Sequence, residues 1–303
     1  MAKIPFRVSP MLATLVDAPF TRENWIFEEK YDGVRMLAYK EGDRVWLISR
    51  NGINRSERYP QIRADIRKLN AETLLLDGEV VVFDSKRISR FQLLQQGKGK
   101  AEYAIFDCLY HNGKDLRPEP LARRSEILDS VSPITGTLLR SARLGTDGLK
   151  AFRIASRRGF EGIIGKNLES PYQSRRSTDW LKVKVHREQE FVIGGFTKPK
   201  GSRTNFGALL LGVYKEKGLQ YAGKVGTGFN DETLSSLRRK FTPLIQHRSP
   251  FVEATGERDA TYLKPRLVAQ IAFTEWTEDD KLRHPVFLGL RDDKNAAEVR
   301  REG

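Results

Sequence analysis

The chain contains a single cysteine, Cys108. No intrachain disulfide can form, and no cysteine-based zinc site can be built. Cys108 sits in the apolar run AIFDCLY, where it reads as a small buried hydrophobe. Apolar runs are short as well, and none approaches the roughly 20 residues that a membrane-spanning helix needs. The first residues, MAKIPFRVSPMLAT, lack the apolar core of a signal peptide. No internal repeat and no low-complexity tract interrupts the sequence. These absences exclude disulfide scaffolds, cysteine-zinc modules and helical membrane proteins, and leave a cytoplasmic protein as the expectation.

Acidic charge is also in deficit. The 53 Lys and Arg outnumber the 39 Asp and Glu, giving a formal net charge of +14. Basic side chains gain free energy by displacing counterions from a polyanion, so an excess of this size points to nucleic acid. A basic protein with a merely solvated surface is the plainer alternative. With 303 residues and 39% hydrophobic content, the chain can bury two separate cores.

The first half alternates short strands and helices without the regular βα period of a doubly wound fold, so an α+β domain is expected. WIFEEKY, TLLLDGEVVVFD, EYAIFDCLY, FEGIIGK and DWLKVKV read as strands. VRMLAYK and RVWLISR read as a hairpin around Gly42, and Asn112-Gly113 as a tight turn. LARRSEILDSV and GLKAFRIASRRG carry helical spacing. The pattern changes near Arg187. Beyond it come about five strands and one helix, DETLSSLRRKFTPLI, with a hairpin at Lys217-Gly218. That content suits a small closed barrel of the OB type. The boundary expected from this is 1–187 and 188–303, with a hinge between Val185 and Glu190.

Several polar segments stand out. EEKYDGVR places Lys30 at a strand end, where an isolated lysine is more often solvated than catalytic. SRNG places Arg50 before a turn. In LDGE, Asp77 and Glu79 fall on one face of an extended strand. EGIIGK puts Glu161 at a strand start. In WLKVKV, period two sends Lys182 and Lys184 to one face and Leu181, Val183 and Val185 to the other. Each segment alone also fits an ordinary half-exposed strand or turn.

Taken in order, KYDGVR, SRNG, LDGE, YAIFD, EGIIGK, WLKVK and finally RDDK at 291–294 resemble the motif series of the covalent nucleotidyltransferases: DNA ligases, RNA ligases and mRNA capping enzymes. The resemblance runs from about Met11 to Lys294. Within the family, LRHPVFLGLRDDK resembles the ligase domain of the bacterial end-joining enzymes called ligase D. The length leaves no room for the polymerase and phosphoesterase modules of those enzymes. Nor do the 29 residues before Lys30 hold a helical DNA-binding domain, so a minimal, free-standing catalytic core is expected. The fold implied is a nucleotidyltransferase domain with an ATP-grasp-like mixed sheet, followed by a C-terminal OB-fold barrel.

The resemblance implies an ATP-dependent DNA ligase that seals 5′-phosphate/3′-hydroxyl nicks through a lysyl-AMP on Lys30. ATP and Mg²⁺, with Mn²⁺ as a substitute, are the implied cofactors. Asp32 is implied to arrange the site. Lys182 and Lys184 are implied to lower the Lys30 pKa and to steady the α-phosphate. Glu28 is implied to accept from the adenine amino group, which disfavours guanine, and Phe106 to stack on the base. Arg35 and Glu79 would hold the ribose and its neighbouring phosphate, Lys166 another phosphate, and Glu79 with Glu161 the metal. Arg50 would meet the nick phosphate. Arg291, Asp293 and Lys294 would orient the β- and γ-phosphates. Nicked or broken duplex DNA is the implied partner, with the end-binding protein Ku as a second, for a monomer near the nucleoid. DNA repair, recombination and replication are the implied settings. An RNA ligase shares most of these motifs and stays open, as do a GTP-using capping enzyme and an inactive DNA-binding module.

Overall fold

The computed structural model describes residues 4–131, 136–185, 188–199 and 204–302. It divides into two compact units, one ending at Val185 and the other running from His186 to Glu302. Of the expected hinge, residues 186 and 187 lie outside the described residues.

In the first unit, the strands and helices follow in the order β1 (Leu12–Leu15), β2 (Trp25–Lys30), β3 (Val34–Glu41), β4 (Arg44–Ser49), α1 (Pro60–Arg67), β5 (Thr73–Val81), α2 (Phe91–Gln95) and β6 (Glu102–His111). They continue as β7 (Lys114–Asp115), α3 (Leu121–Val131), β8 (Leu138–Arg140), β9 (Arg143–Gly145), α4 (Gly148–Arg158), β10 (Gly162–Asn167) and β11 (Arg176–Lys184). Two sheets result. One has the order β1-β11-β10-β2-β9, and the other β4-β3-β5-β6-β7 with β8 added alongside β6. Parallel pairing occurs at β1 with β11 and at β6 with β8, so both sheets are mixed.

The expected hairpin turns at Gly42, which takes φ +54°, and Glu41 pairs with Arg44 across it. Asn112 and Gly113 both take positive φ, as a two-residue hairpin turn requires. Helix α4 starts where the Asp147 side chain accepts from the Leu149 and Lys150 amides, and it ends at Gly159 in the left-handed region. Its Ala151 and Ala155 pack on Phe27, Ile163, Leu181 and Val183 from one face of the first sheet. The other face of that sheet meets the second sheet across a core of Met11, Leu37, Tyr39, Leu75, Phe106, Tyr172 and Trp180. The outer face of the second sheet packs on α1, α2 and α3. Of the residues expected at the site, Glu28, Lys30, Arg35, Phe106, Lys166, Lys182 and Lys184 therefore border the seam between the two sheets.

Helix α3 is fixed to β6 by a fully buried ion pair. Arg124 gives two 2.8 Å hydrogen bonds to the Asp107 carboxylate, and donates to the Glu119 carbonyl at 2.7 Å and the Ser170 carbonyl at 2.9 Å. Cys108, next along β6, is buried, and desolvation pushes its thiol pKa up to about 12. It is the inert hydrophobe the sequence implies.

Glu29 lies on the face of β2 turned away from Lys30. Its Oε1 is buried without a hydrogen-bond partner, and burial raises its pKa from 4.5 to about 7 against the pull of Arg158 and Arg87. A raised carboxyl pKa opposes folding. The unfolded chain gives up this proton near pH 4.5, the folded one near 7, so the penalty grows across that window and is complete above it. Glu29→Gln is expected to stabilise the domain by about 3 kcal/mol at pH 8 and to change little at pH 4.5. Urea unfolding at both pH values measures this, and an effect independent of pH would contradict it.

The second unit contains β12 (Glu188–Thr197), β13 (Leu209–Lys215), β14 (Gly218–Val225), α5 (Asp231–Phe241), β15 (Ile245–Gln246), β16 (Ala260–Ala272), β17 (Glu275–Trp276), β18 (Leu282–Arg283) and β19 (Val286–Leu290). Its main sheet runs β14-β13-β12-β16-β15, with β19 also on β16. Phe191, Ile193, Phe196, Phe206, Leu211 and Phe241 fill the core beneath α5. The expected closed barrel is not formed as a continuous ladder among the described residues. The segment after β14 meets β19 through hydrogen bonds from Phe287 N to Thr227 O and from Thr227 Oγ1 to Pro285 O, because the chain leaves the extended conformation after Val225. No helix among the described residues is long and apolar enough to cross a membrane.

Candidate active site

Three neighbouring strands build the floor. Lys30 on β2 pairs with Gly162 on β10, which pairs with Lys184 on β11. One step along, Glu28 pairs with Ile164 and Ile164 with Lys182; the next step joins Ile26, Lys166 and Trp180. Residues in register share a face. Lys30, Glu28, Lys166, Lys182 and Lys184 thus share one face, with the two basic strands about 10 Å apart across β10. Gly162 contributes no side chain between Lys30 and Lys184, and a Cβ there would lie 2.2 Å from the Val183 carbonyl oxygen.

The Lys30 ammonium, 18% exposed, forms an ion pair with Glu161. Its pKa departs from expectation. Burial pulls it down, but the carboxylates of Glu161, Asp32 and Glu79 outweigh burial and hold it above the ordinary 10.5. The resemblance places the lysines of β11 near Lys30, yet the sequence does not reveal that Glu79 and Glu161 join nearby Asp32 around the same amine. Asp32 also ties the turn after β2 to the start of α2. Its Oδ2 accepts from Phe91 N at 3.0 Å and its amide donates to Ser89 Oγ at 3.0 Å. Gly33 follows because a Cβ there would meet the Val80 carbonyl oxygen at 2.3 Å.

The facing sheet supplies the other wall. Arg35 pairs in register with Glu79, and its guanidinium grips Asp77 through two 2.6 Å hydrogen bonds. It also donates to Met11 O at 3.2 Å. Tyr172 OH donates to Asp77 at 2.6 Å and accepts from Met11 N at 2.9 Å. This network places Arg35 over the Phe106 ring at 4.6 Å. Phe106 further meets Trp180 edge-on and the Lys166 ammonium at 4.5 Å.

Glu28 is buried, and its two oxygens differ. Oε2 accepts from Lys166 Nζ at 2.8 Å and from Ser141 Oγ at 2.9 Å, whereas Oε1 is buried without a partner. Burial lowers the Lys166 pKa, partly offset by Glu28. The Lys166 ammonium, expected to add a phosphate contact, therefore sits on Glu28 and against the rings of Phe106 and Trp180.

Arg50 lies half-buried just past β4. In the second unit, Arg291 holds Asp293 through two 2.8 Å hydrogen bonds, and Lys294 pairs with Glu190 at 2.9 Å. No group of three metal-ligating side chains occurs among the described residues. Glu79 and Glu161 both act on Lys30, however, and two carboxylates completed by water suit Mg²⁺. Sequence reasoning assigned no part to Ser141, Tyr172 or Trp180. Trp180 shares the period-two face of Lys182, a readable signal, but nothing local marks the other two.

A strand-end lysine on a cation-bearing sheet face, with an OB-fold domain following, defines a nucleotidyltransferase core. Residues 10–184 match the ATP dependent DNA ligase domain and residues 202–294 the ATP dependent DNA ligase C terminal region. The chain belongs to the ATP-dependent DNA ligase family. It is 39% identical over 309 residues to the multifunctional non-homologous end joining protein LigD of Pseudomonas aeruginosa, covering 98% of this chain and 37% of that protein. For LigD of Mycobacterium tuberculosis H37Rv the identity is 38%, covering 97% of this chain and 40% of the relative. The chain thus spans about two fifths of the length of these two relatives. Among solved structures, mycobacterial DNA ligase D complexed with ATP and MES aligns with TM-score 0.75 and 35% identity, covering 99% of this chain and 100% of that one. The ligase domain of M. tuberculosis LigD aligns with TM-score 0.57 and 37% identity, at 99% and 100% coverage.

Proposed function

We propose that this chain is an ATP-dependent DNA ligase in which Lys30 carries the adenylyl group. The observation that carries this reading is Lys30 on one sheet face with Lys182, Lys184 and the partly unpaired, buried Glu28. Deprotonated Lys30 Nζ attacks the α-phosphorus of ATP, forming a P–N bond as the bond to pyrophosphate breaks. The adenylyl group then passes to the 5′-phosphate of a nick, and the lysine amine is regenerated. The 3′-hydroxyl finally attacks that phosphate and AMP leaves. The Lys30 proton is lost to solvent once Glu161, its ion-pair partner in the free protein, turns to the metal. Lys182 and Lys184 oppose charge building on the phosphate in flight. Glu79 and Glu161 would hold Mg²⁺, which supplies further positive charge against the phosphates. Phe106 and Arg35 border the base and ribose, Arg50 takes the nick phosphate, and Asp32 keeps the Lys30 turn in place.

The partner is nicked or broken duplex DNA, clamped in part by basic residues such as Arg238, Arg239 and Lys240 in the last turn of α5. Ku is a partner to be tested for a protein acting as a monomer in the cytoplasm at the nucleoid. The RNA-ligase alternative gains nothing from the matches to DNA ligases. Incubation with α-labelled ATP and Mg²⁺ should label the protein covalently, and added nicked DNA should discharge the label as sealed product. A nicked RNA–DNA hybrid sealed in preference to nicked DNA would overturn the substrate assignment.

Arg291 and Lys294 act on the leaving pyrophosphate in this scheme. Arg291→Ala or Lys294→Ala should slow adenylation about 100-fold or more while sealing of pre-adenylated nicks stays within a few fold. Equal losses in both steps, measured by single turnover, would remove these residues from nucleotide loading.

A further inference from the structure

Glu28 is a carboxylate with one oxygen saturated and the other bare, both inside the protein. Oε2 receives two donors, the Lys166 ammonium and the Ser141 hydroxyl. A buried acceptor without a donor costs free energy, and native proteins rarely leave one so. Lys166 balances the charge but satisfies only Oε2. The carboxylate cannot rotate to share these donors without breaking a bond to Ser141 or to Lys166.

Ser141 is itself held on a fixed backbone. Its amide donates to Ile105 O at 2.8 Å, and Ala142 N donates to the hydroxyl of Tyr31, the residue after Lys30, at 3.0 Å. Ala142 O accepts from Glu29 N at 3.1 Å. The two-residue link between β8 and β9 is thus fastened to β6 and to both sides of Lys30. Lys166 is equally constrained, with its ammonium 4.5 Å and 4.4 Å from the ring centres of Phe106 and Trp180.

We infer that Ser141 and Lys166 are positioning residues for base selection, holding Oε2 of the Glu28 carboxylate so that Oε1 is the oxygen left to accept from a base. This rests on the nucleotide reading above and adds what sets its specificity. An exocyclic amine, as on adenine, donates to Oε1. A ring carbonyl at the same place, as on guanine, sets acceptor against acceptor, and a bare C–H leaves Oε1 unsatisfied. Ser141 touches neither base nor phosphate and acts through Glu28.

The test compares ATP with purine riboside triphosphate, which lacks the 6-amino group, in single-turnover adenylation. Wild type, Ser141→Ala, Ser141→Thr and Lys166→Gln are each measured. Loss of one hydrogen bond to a charged group should lower the preference for ATP about tenfold in Ser141→Ala. It should appear mainly in KM for ATP, and Ser141→Thr should restore it. Lys166→Gln should lower the same ratio. Equilibrium binding of AMP and of purine riboside monophosphate reads the contact without catalysis, so it separates the two claims. If wild type binds both nucleotides with the same preference as Ser141→Ala and Lys166→Gln, the positioning role is overturned. If wild type discriminates and the variants lose that, yet no protein is labelled by ATP, the inference stands and the ligase reading falls.

Discussion

Lys30→Ala is expected to abolish covalent labelling by α-labelled ATP, with a loss of at least about a thousandfold, because the change removes the nucleophile of the proposed scheme. Sealing of a nick that already carries AMP should survive far better, since that step forms no bond to the lysine. The contrast separates chemistry from folding damage. Removing Lys30 also deprives Glu161 of its partner, and a misfolded variant would fail in both assays alike. Label that persists in the variant would show that another residue receives the adenylyl group. The raised pKa of Lys30 makes a second point. The carboxylates that keep it protonated must be countered when substrate binds, and the phosphates alone would only raise the pKa further. In the proposed scheme, positive charge from Lys182, Lys184 and a cation at Glu79 and Glu161 would meet that need. Adenylation is therefore expected to accelerate as pH rises, following deprotonation of the amine.

Asp107→Ala should destabilise the first domain by about 3–5 kcal/mol, because it strands a fully buried guanidinium without its counter-charge. Arg124 is fully buried, and its two remaining hydrogen bonds go to neutral carbonyls. The midpoint of urea unfolding, followed by the fluorescence of the domain's tryptophans, measures the loss. Pairing Asp107→Leu with Arg124→Met should recover most of it, since an apolar pair of similar volume needs no counter-charge. A cost below about 1 kcal/mol for the single change would mean that the arginine finds another partner. The pair also bears on the site. Asp107 follows Phe106 on β6, and a shift there would move the ring on which Arg35 and Lys166 rest.

Legibility in the sequence followed the range of the interactions. WLKVKV is a local pattern, and its period places Lys182 and Lys184 on the face where the structure has them. The same holds for Gly42, for Asn112-Gly113 and for α4, whose cap, spacing and terminal glycine all lie within a dozen residues. Short strands paired to distant partners, such as β8 and β9, show no run long enough to read. Helix α1, opened by Pro60, was not assigned either. At the site, the Arg35–Asp77–Tyr172 network joins positions 42 and 95 residues apart, so no window reveals it. The Ser141–Glu28 bond spans 113 residues. The direction of the Lys30 shift was not legible for the same reason: Glu161 and Glu79, which join nearby Asp32 around the amine, are distant from it in sequence. Closure of the OB sheet by a full ladder was over-read, since strand count alone does not say where the chain leaves the extended conformation.

The parallel pairing of β1 with β11 has a consequence for biosynthesis. Thr14 Oγ1 donates to Ser177 O across 163 residues of sequence. At the usual pace of the ribosome, β1 waits roughly ten to thirty seconds for its neighbour to be made. Until then Trp180 and its strand are absent, and the nascent polypeptide has the amine of Lys30 but not the cations opposite. The domain is thus completed only when its final strand emerges, and an unfinished chain lacks the strand that carries Lys182 and Lys184.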